Sequence, residues 1–142
     1  MNVTISKSEA ETQTVAKTLA GNFKNGGLVL LYGDLGSGKT AFTKGFASYF
    51  SINKFQIKSP TYTYIRKYEL GRQNFYHIDL YRLEIIDELL WREIAELIEN
   101  KKNIIVIEWA DKIDSKLKNM KLKKTMVRLK YIDESNREIT IE

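Results

Sequence analysis

Residues 32–40 read YGDLGSGKT. They fit the pattern G-x-x-x-x-G-K-[ST] at every fixed position, with Gly33, Gly38, Lys39 and Thr40 in the required places. Glycines let the chain turn tightly, so that successive backbone N–H groups point inward at phosphate oxygens. The candidate phosphate-binding residues are therefore Asp34, Leu35, Gly36, Ser37, Gly38, Lys39, Thr40 and Ala41. Lys39 supplies a mobile positive charge for the β and γ phosphates, and Thr40 offers a hydroxyl to Mg²⁺, which takes hard oxygen ligands. A helix starting at this point adds its positive end to the same site.

The flanks are those the motif demands. GLVLLY, residues 27–32, is apolar throughout, which means burial on both faces, as in a parallel sheet. KTAFTKGFASYF then reads as a helix carrying Phe42, Phe46, Tyr49 and Phe50 along one side. Upstream, Ser8-Glu9-Ala10-Glu11 has the form of a capping box, which predicts a helix from about Ser8 to Asn22. Downstream, TYTYIRKYEL and NFYHIDLYRL flank a turn signal at residues 71–74, and residues 57–83 are expected to form antiparallel strands. Ile86, Leu89, Leu90, Ile94, Leu97 and Ile98 recur at helical spacing over residues 85–100. NIIVIEW opens a second buried strand at Asn103, and the tail around residues 133–136 predicts a closing hairpin. The expected class is α/β: a P-loop NTPase-like sheet of central parallel strands with antiparallel additions, helices on both faces, and one domain over residues 1–142.

Composition narrows the chemistry. With no cysteine, disulfides, thiolate metal sites and cysteine nucleophiles are excluded. Hydrophobic residues make up 43% of the chain, and a single proline occurs, which suits a folded globule. A basic-then-apolar leader and a run long enough to cross a bilayer are both missing from the sequence, so the expectation is a cytoplasmic protein. The net charge of +5 is concentrated between Lys116 and Lys130, where seven basic residues meet no acid. A solvated strand or loop face is the favoured reading of that run, with RNA or an acidic protein surface as the alternative. Aromatics interleaved with arginines from Tyr62 to Arg82 fit antiparallel strands better than base stacking. His77, the sole histidine, is expected to be a packed strand residue rather than a catalytic one.

A phosphate loop of this kind needs a carboxylate near the metal, at the end of a hydrophobic strand. Glu108 closes IIVIE and is the first choice, to bind Mg²⁺ directly or through water, or to polarise the attacking water. Asp79 closes FYHID and is the second, to complete the metal shell or position water. The segment Ala110-Asp111-Lys112-Ile113-Asp114 stands where GTPases carry N-K-x-D, but Asp111 occupies the Asn position, which disfavours GTP. A nucleoside or nucleotide kinase would need an arginine-bearing lid, for which the chain leaves little room.

GDLGSGKT, Ser59-Pro60-Thr61-Tyr62, His77-Ile78-Asp79-Leu80-Tyr81-Arg82 and Glu108-Trp109, in that order, resemble the bacterial TsaE family over nearly the whole chain. The second and third elements are more distinctive than the phosphate loop, because they do not belong to P-loop proteins in general. The resemblance implies a small ATPase, weak alone and stimulated by TsaB and TsaD, that supports threonylcarbamoylation of tRNA while TsaD performs the transfer. ATP and Mg²⁺ are the implied cofactors. TsaD and TsaB are the implied partners, with tRNA reached only through them and with neither membrane nor DNA involved. By the family pattern, Lys39 and Thr40 serve phosphate and Mg²⁺, Glu108 serves Mg²⁺, Thr61 and Asp79 lie around the γ phosphate, and Thr12 lies near the nucleoside. Two features depart from the pattern: Ala110 follows Glu108-Trp109 where the family commonly has proline, and a continuous WREIAELIENKKN replaces a glycine-containing turn. Lys39, Asp79 and Glu108 are the candidate catalytic residues, and Thr40, Glu108 and Asp79 the candidate metal ligands. Two other readings stay open: a small P-loop kinase, and a nucleotide-dependent assembly module.

Overall fold

The computed structural model describes residues 1–53, 56, 57 and 64–142. Strands β1 (Asn2–Ser6), β2 (Gly27–Tyr32), β3 (Ile65–Glu69), β4 (Asn74–Asp79), β5 (Ile104–Glu108), β6 (Thr125–Tyr131) and β7 (Arg137–Ile141) form one sheet in the order β1-β7-β6-β2-β5-β4-β3. Helices α1 (Glu9–Ala20), α2 (Lys39–Ser48), α3 (Glu88–Glu99) and the short α4 (Asp114–Leu117) pack around it. The four central strands β6, β2, β5 and β4 run parallel, while β3 pairs antiparallel at one edge and β7 and β1 at the other.

Alternation along the parallel strands builds two cores. Val29, Leu31, Ile104 and Val106 point to the layer that holds Phe42 and Phe46 of α2 and Ala16 and Ala20 of α1. Leu28, Leu30, Ile105 and Ile107 point the other way, to Ile94 and Ile98 of α3 and to Ile113 and Leu117. A strand flanked by strands and sandwiched by helices has no solvent face, which is why β2 and β5 read as unbroken apolar runs. Helices therefore lie on both faces, as the sequence predicts.

Half of the capping box forms: the Glu11 N–H donates to Ser8 Oγ at 3.1 Å, while the Glu11 carboxylate accepts the N–H of Lys7, one residue before the cap, at 2.7 Å. Helix boundaries move inward from their expected positions. The first helix ends at Ala20 and gives way to a 3-10 turn over Gly21–Phe23, and α2 ends at Ser48. Helix α3 starts at Glu88 because the Asp87 side chain accepts the Leu90 N–H at 2.8 Å. Leu89, counted in the apolar stripe, is instead 76% exposed.

Only part of residues 57–83 is purely antiparallel. Strand β4 pairs with β3 in that sense but lies parallel to β5 on its other side, so FYHID is an interior strand. Strand β1 has no counterpart among the sequence expectations. Four of its five residues are exposed, and its only ladder is to β7, so the segment itself carries no burial signature. Within the basic run, Arg128 and Lys130 alternate with buried Val127 and Leu129 on β6, which makes their side of the strand a solvated face.

Helices α1 and α2 approach closely at Gly45. A Cβ there would lie 2.3 Å from the Gln13 carbonyl oxygen and 2.4 Å from its Cα, both backbone atoms. Alanine gains about 1 kcal/mol of helix propensity over glycine, whereas overpacking costs about 1–3 kcal/mol or more. Gly45→Val, with a larger clash and a β-branched side chain, is expected to destabilise the fold by at least ~3 kcal/mol. The shift of its urea midpoint measures this.

Candidate functional site

The loop between β2 and α2 wraps around its own lysine. Gly33 has φ 153°, and a Cβ at this position would meet Ser37 Oγ at 2.4 Å and the Leu129 carbonyl oxygen at 2.5 Å, so only glycine fits. The Ser37 N–H donates to the Asp34 carbonyl at 3.1 Å and closes the turn. The Lys39 ammonium donates to the Gly33 carbonyl at 2.6 Å, the Asp34 carbonyl at 2.8 Å and Ser37 Oγ at 3.3 Å. It also lies 4.0 Å from the centre of the Trp109 ring, a cation–π contact. Burial pulls the Lys39 pKa below its ordinary value, while Glu108, Asp79, Asp34 and Asp111 oppose that pull. From β7, 101 residues along the chain, Arg137 Nη2 donates to the Gly36 carbonyl at 3.1 Å and braces the loop.

Glu108 ends β5 and is 1% exposed. Its Oε1 accepts from Thr40 Oγ1 at 3.0 Å. Its Oε2 contacts His77 Nε2, and Thr43 Oγ1 approaches the same oxygen at 3.4 Å while donating to the Lys39 carbonyl at 3.0 Å. Asp79 is the register partner of Glu108 across the β4–β5 ladder, and its Oδ1 accepts the Tyr81 N–H at 3.0 Å. Both carboxylates thus stand at the carboxyl ends of parallel strands, where open α/β sheets bind ligands. Leu35, Gly36, Gly38, Lys39, Thr40 and Ala41 of the loop and α2 line a cavity of about 360 Å³ there, together with Asp79, Arg82, Glu108 and Trp109. Tyr64 and Tyr81 complete its wall.

The donor set fits Mg²⁺. Two adjacent ligands on an octahedral ion at about 2.1 Å stand about 3.0 Å apart, and Thr40 Oγ1 and Glu108 Oε1 are separated by 3.0 Å. Among the described residues no group of three or more His, Cys, Asp or Glu side chains is arranged to hold a metal alone. Mg²⁺ ordinarily takes one or two carboxylates plus phosphate oxygens and water, which is what this cavity leaves room for.

The structure thus brings together Lys39, Thr40, Asp79 and Glu108 with the loop residues around Gly36. Ser37 is buried beneath the lysine, and Asp34 contributes its carbonyl. Thr12 is buried on α1, shares a 2.7 Å hydroxyl–hydroxyl bond with Ser6 and is not among the residues that line this cavity. Thr61 and the rest of the Ser59–Tyr62 element fall outside the described residues. In the GTPase-like segment, Lys112 Nζ donates to the carbonyls of Tyr81 and Leu83, at 2.7 Å for the former, and Tyr32 Oη donates to Asp114 at 2.7 Å. That segment anchors the 79–83 stretch rather than offering side chains to a base. The Asp114 carboxylate and burial together push the Tyr32 hydroxyl far above its usual pKa, burial contributing most.

Three features escaped the sequence. His77 is buried against Glu108, Arg137 reaches the loop from β7, and Trp109 adopts a left-handed backbone (φ 59°). That turn sets the Trp109 ring over Lys39 and 5.0 Å from Tyr81. The sequence signals for them were the HIDLYR element that His77 opens and the pairing of Glu108 with Trp109; Arg137 had none.

The family model described as "Threonylcarbamoyl adenosine biosynthesis protein TsaE" matches residues 6–139. The tRNA threonylcarbamoyladenosine biosynthesis protein TsaE of Bacillus subtilis is 38% identical over 130 residues, covering 92% of this chain and 78% of that one. The TsaE proteins of Rickettsia bellii and Treponema pallidum are 36% and 31% identical, covering 94% and 96% of this chain and 90% and 97% of theirs. Among solved structures, the crystal structure of Bacillus subtilis YdiB superposes with a TM-score of 0.67 at 30% identity, covering 99% of this chain and 83% of that one.

Proposed function

The chain belongs to the TsaE family of threonylcarbamoyl adenosine biosynthesis proteins, and on that premise we propose that it is an ATPase subunit of tRNA threonylcarbamoyladenosine formation, stimulated by TsaB and TsaD. One observation carries the reading. The Thr40 hydroxyl at the start of α2 and the Glu108 carboxylate at the end of β5 meet at 3.0 Å over the cavity of the phosphate loop. Such a pair, set beside a buried lysine, serves a Mg²⁺-bound nucleoside triphosphate.

The residues divide the work. Loop N–H groups from Gly36 to Ala41 and the start of α2 bind the phosphates. Lys39 exchanges its contacts with the Gly33 and Asp34 carbonyls for β and γ oxygens. Thr40 and Glu108 would hold Mg²⁺, which when bound would supply positive charge against the charge that develops on the phosphates. Asp79, across the ladder from Glu108, orients the attacking water. Trp109 and Tyr81 shield the Lys39 side of the cavity from bulk solvent.

Two features support a partner at this mouth. Arg82 lines the cavity from an exposed segment, which puts an arginine at the mouth within reach of a partner. Leu35 and Tyr81 are large apolar side chains that stand exposed on the wall of one cavity. Apolar exposure of this kind marks interaction surfaces. Among the described residues no helix is long and apolar enough to cross a membrane.

The test is ATP hydrolysis by the protein alone and with TsaB–TsaD of the same organism. Supplying a missing arginine or ordering the site is worth up to ~10³–10⁵ in rate, and stimulation of at least about 10²-fold is the expected result. Phosphate transfer to an added nucleoside would point to the kinase reading. Nucleotide-dependent complex formation without turnover would point to an assembly module.

A further inference from the structure

We infer that His77 is a positioning residue for Glu108, holding one carboxylate oxygen so that the other stays aimed at Thr40. The inference rests on the reading of Thr40 and Glu108 as the Mg²⁺-holding pair. Residues two apart on a strand share a face, and β4 and β5 are in register at His77–Val106 and Asp79–Glu108. His77 therefore lies diagonal to Glu108 on the side of the sheet facing α2. Its ring is fully buried, and Nε2 sits on Glu108 Oε2. Glu108 Oε1 is then left to Thr40.

Among the described residues the imidazole has one hydrogen-bond partner, Glu108. Among the described residues Nδ1 is buried without a hydrogen bond. A carboxylate accepts and does not donate, so Nε2 carries the proton facing Glu108. Nδ1 has no acceptor among the described residues to donate to, so the geometry favours the tautomer with its proton on Nε2. Two residues earlier on the same face, β4 places the apolar Phe75, which packs with Phe46 and Phe50. An apolar side chain would satisfy packing at position 77 as well. A histidine with one orphaned nitrogen makes sense through its other nitrogen, which fixes a carboxylate that must otherwise choose among rotamers. Groups that orient a ligating side chain govern metal affinity, typically by ~10–100-fold.

The chain holds a single histidine, so the test can be made on the unaltered, untagged protein. Imidazole ¹⁵N NMR is expected to show Nε2 as the protonated nitrogen and Nδ1 as the bare one. The Nε2 signal should move on adding a β,γ-imido ATP analogue with Mg²⁺, and less with the analogue in EDTA. Protonation at Nδ1 with a bare Nε2 would overturn the assignment without any variant. Calorimetry then separates orientation from folding. His77→Asn places its amide near the Nδ1 position, short of Glu108, and should weaken the Mg²⁺-dependent part of analogue binding by ~10–100-fold while leaving metal-free binding unchanged. His77→Gln carries an N–H donor out to the Nε2 position and should recover most of that loss. Wild-type Mg²⁺ dependence in His77→Asn, or equal losses in both variants, would overturn the role of His77 alone. Analogue binding indifferent to Mg²⁺ in the unaltered protein would overturn the Thr40–Glu108 site and this inference with it.

Discussion

Lys39→Ala is expected to lower the affinity for Mg²⁺–ATP by about 100-fold or more. Lys39 is 5% exposed, and its ammonium sits in a ring of the Gly33 and Asp34 carbonyls, Ser37 Oγ and the Trp109 face. Burial lowers its pKa, and the opposing carboxylates are those of the site itself, Glu108 and Asp79 first. Nucleotide phosphates add anionic charge beside those two carboxylates, and Lys39 is the ammonium within the loop that meets it. Hydrogen bonds to charged groups are worth about 1.5–3 kcal/mol each, so losing two phosphate contacts costs about 3 kcal/mol or more, and 1.4 kcal/mol is tenfold in affinity. Because Lys39 Nζ lies 4.0 Å from the Trp109 ring centre, moving it onto a phosphate should change the emission of that tryptophan. In a Trp91→Phe background the titration reads Trp109 alone, with circular dichroism as the check on folding. Affinity retained within a few-fold would leave the loop without its principal cation and remove Lys39 from the site.

The glycine loop between β2 and α2 was legible because its signals are local. A buried strand, a glycine turn and a helix start are each written in consecutive residues, and they fix where Lys39 and Thr40 stand. Glu108 was legible for a related reason, since an apolar run that ends in an acid places that acid at a strand's carboxyl end. Long-range pairing is what the sequence left out. The alternating pattern of NFYHID suits an antiparallel strand, and only the parallel ladder to β5 makes it interior and turns His77 toward Glu108. Arg137 acts on Gly36 through the β6–β7 hairpin, whose register cannot be read from either residue. Strand β1 is defined by its partner β7 rather than by its own exposed residues. Thr12, expected from the family pattern near the nucleoside, shares a hydroxyl–hydroxyl bond with Ser6 that ties α1 to the end of β1, a contact between residues that no local pattern announces.

Glu108→Ala is expected to keep metal-free nucleotide binding and to lose turnover. The carboxylate does not touch the loop N–H groups that grip phosphate, so affinity in EDTA should change little. Its removal would take from the proposed Mg²⁺-holding pair the carboxylate that Thr40 Oγ1 contacts. Groups that hold a catalytic metal or polarise the attacking water contribute typically ~10²–10⁴-fold, and partner-stimulated ATP hydrolysis should fall by that amount. The substitution also leaves His77 Nε2 buried without its acceptor, and an unsatisfied buried group costs about 1–3 kcal/mol. A loss of activity in the alanine variant therefore has two possible sources, and Glu108→Gln separates them. The amide preserves volume and can still accept a hydrogen bond through its carbonyl, so folding stability should largely return while the negative charge at the metal does not. Turnover as low in the glutamine variant as in alanine, with its urea midpoint restored, assigns the loss to the metal and the water. Turnover unchanged in either variant would remove Glu108 from the reaction and leave Asp79, its partner across the ladder, as the carboxylate that serves Mg²⁺.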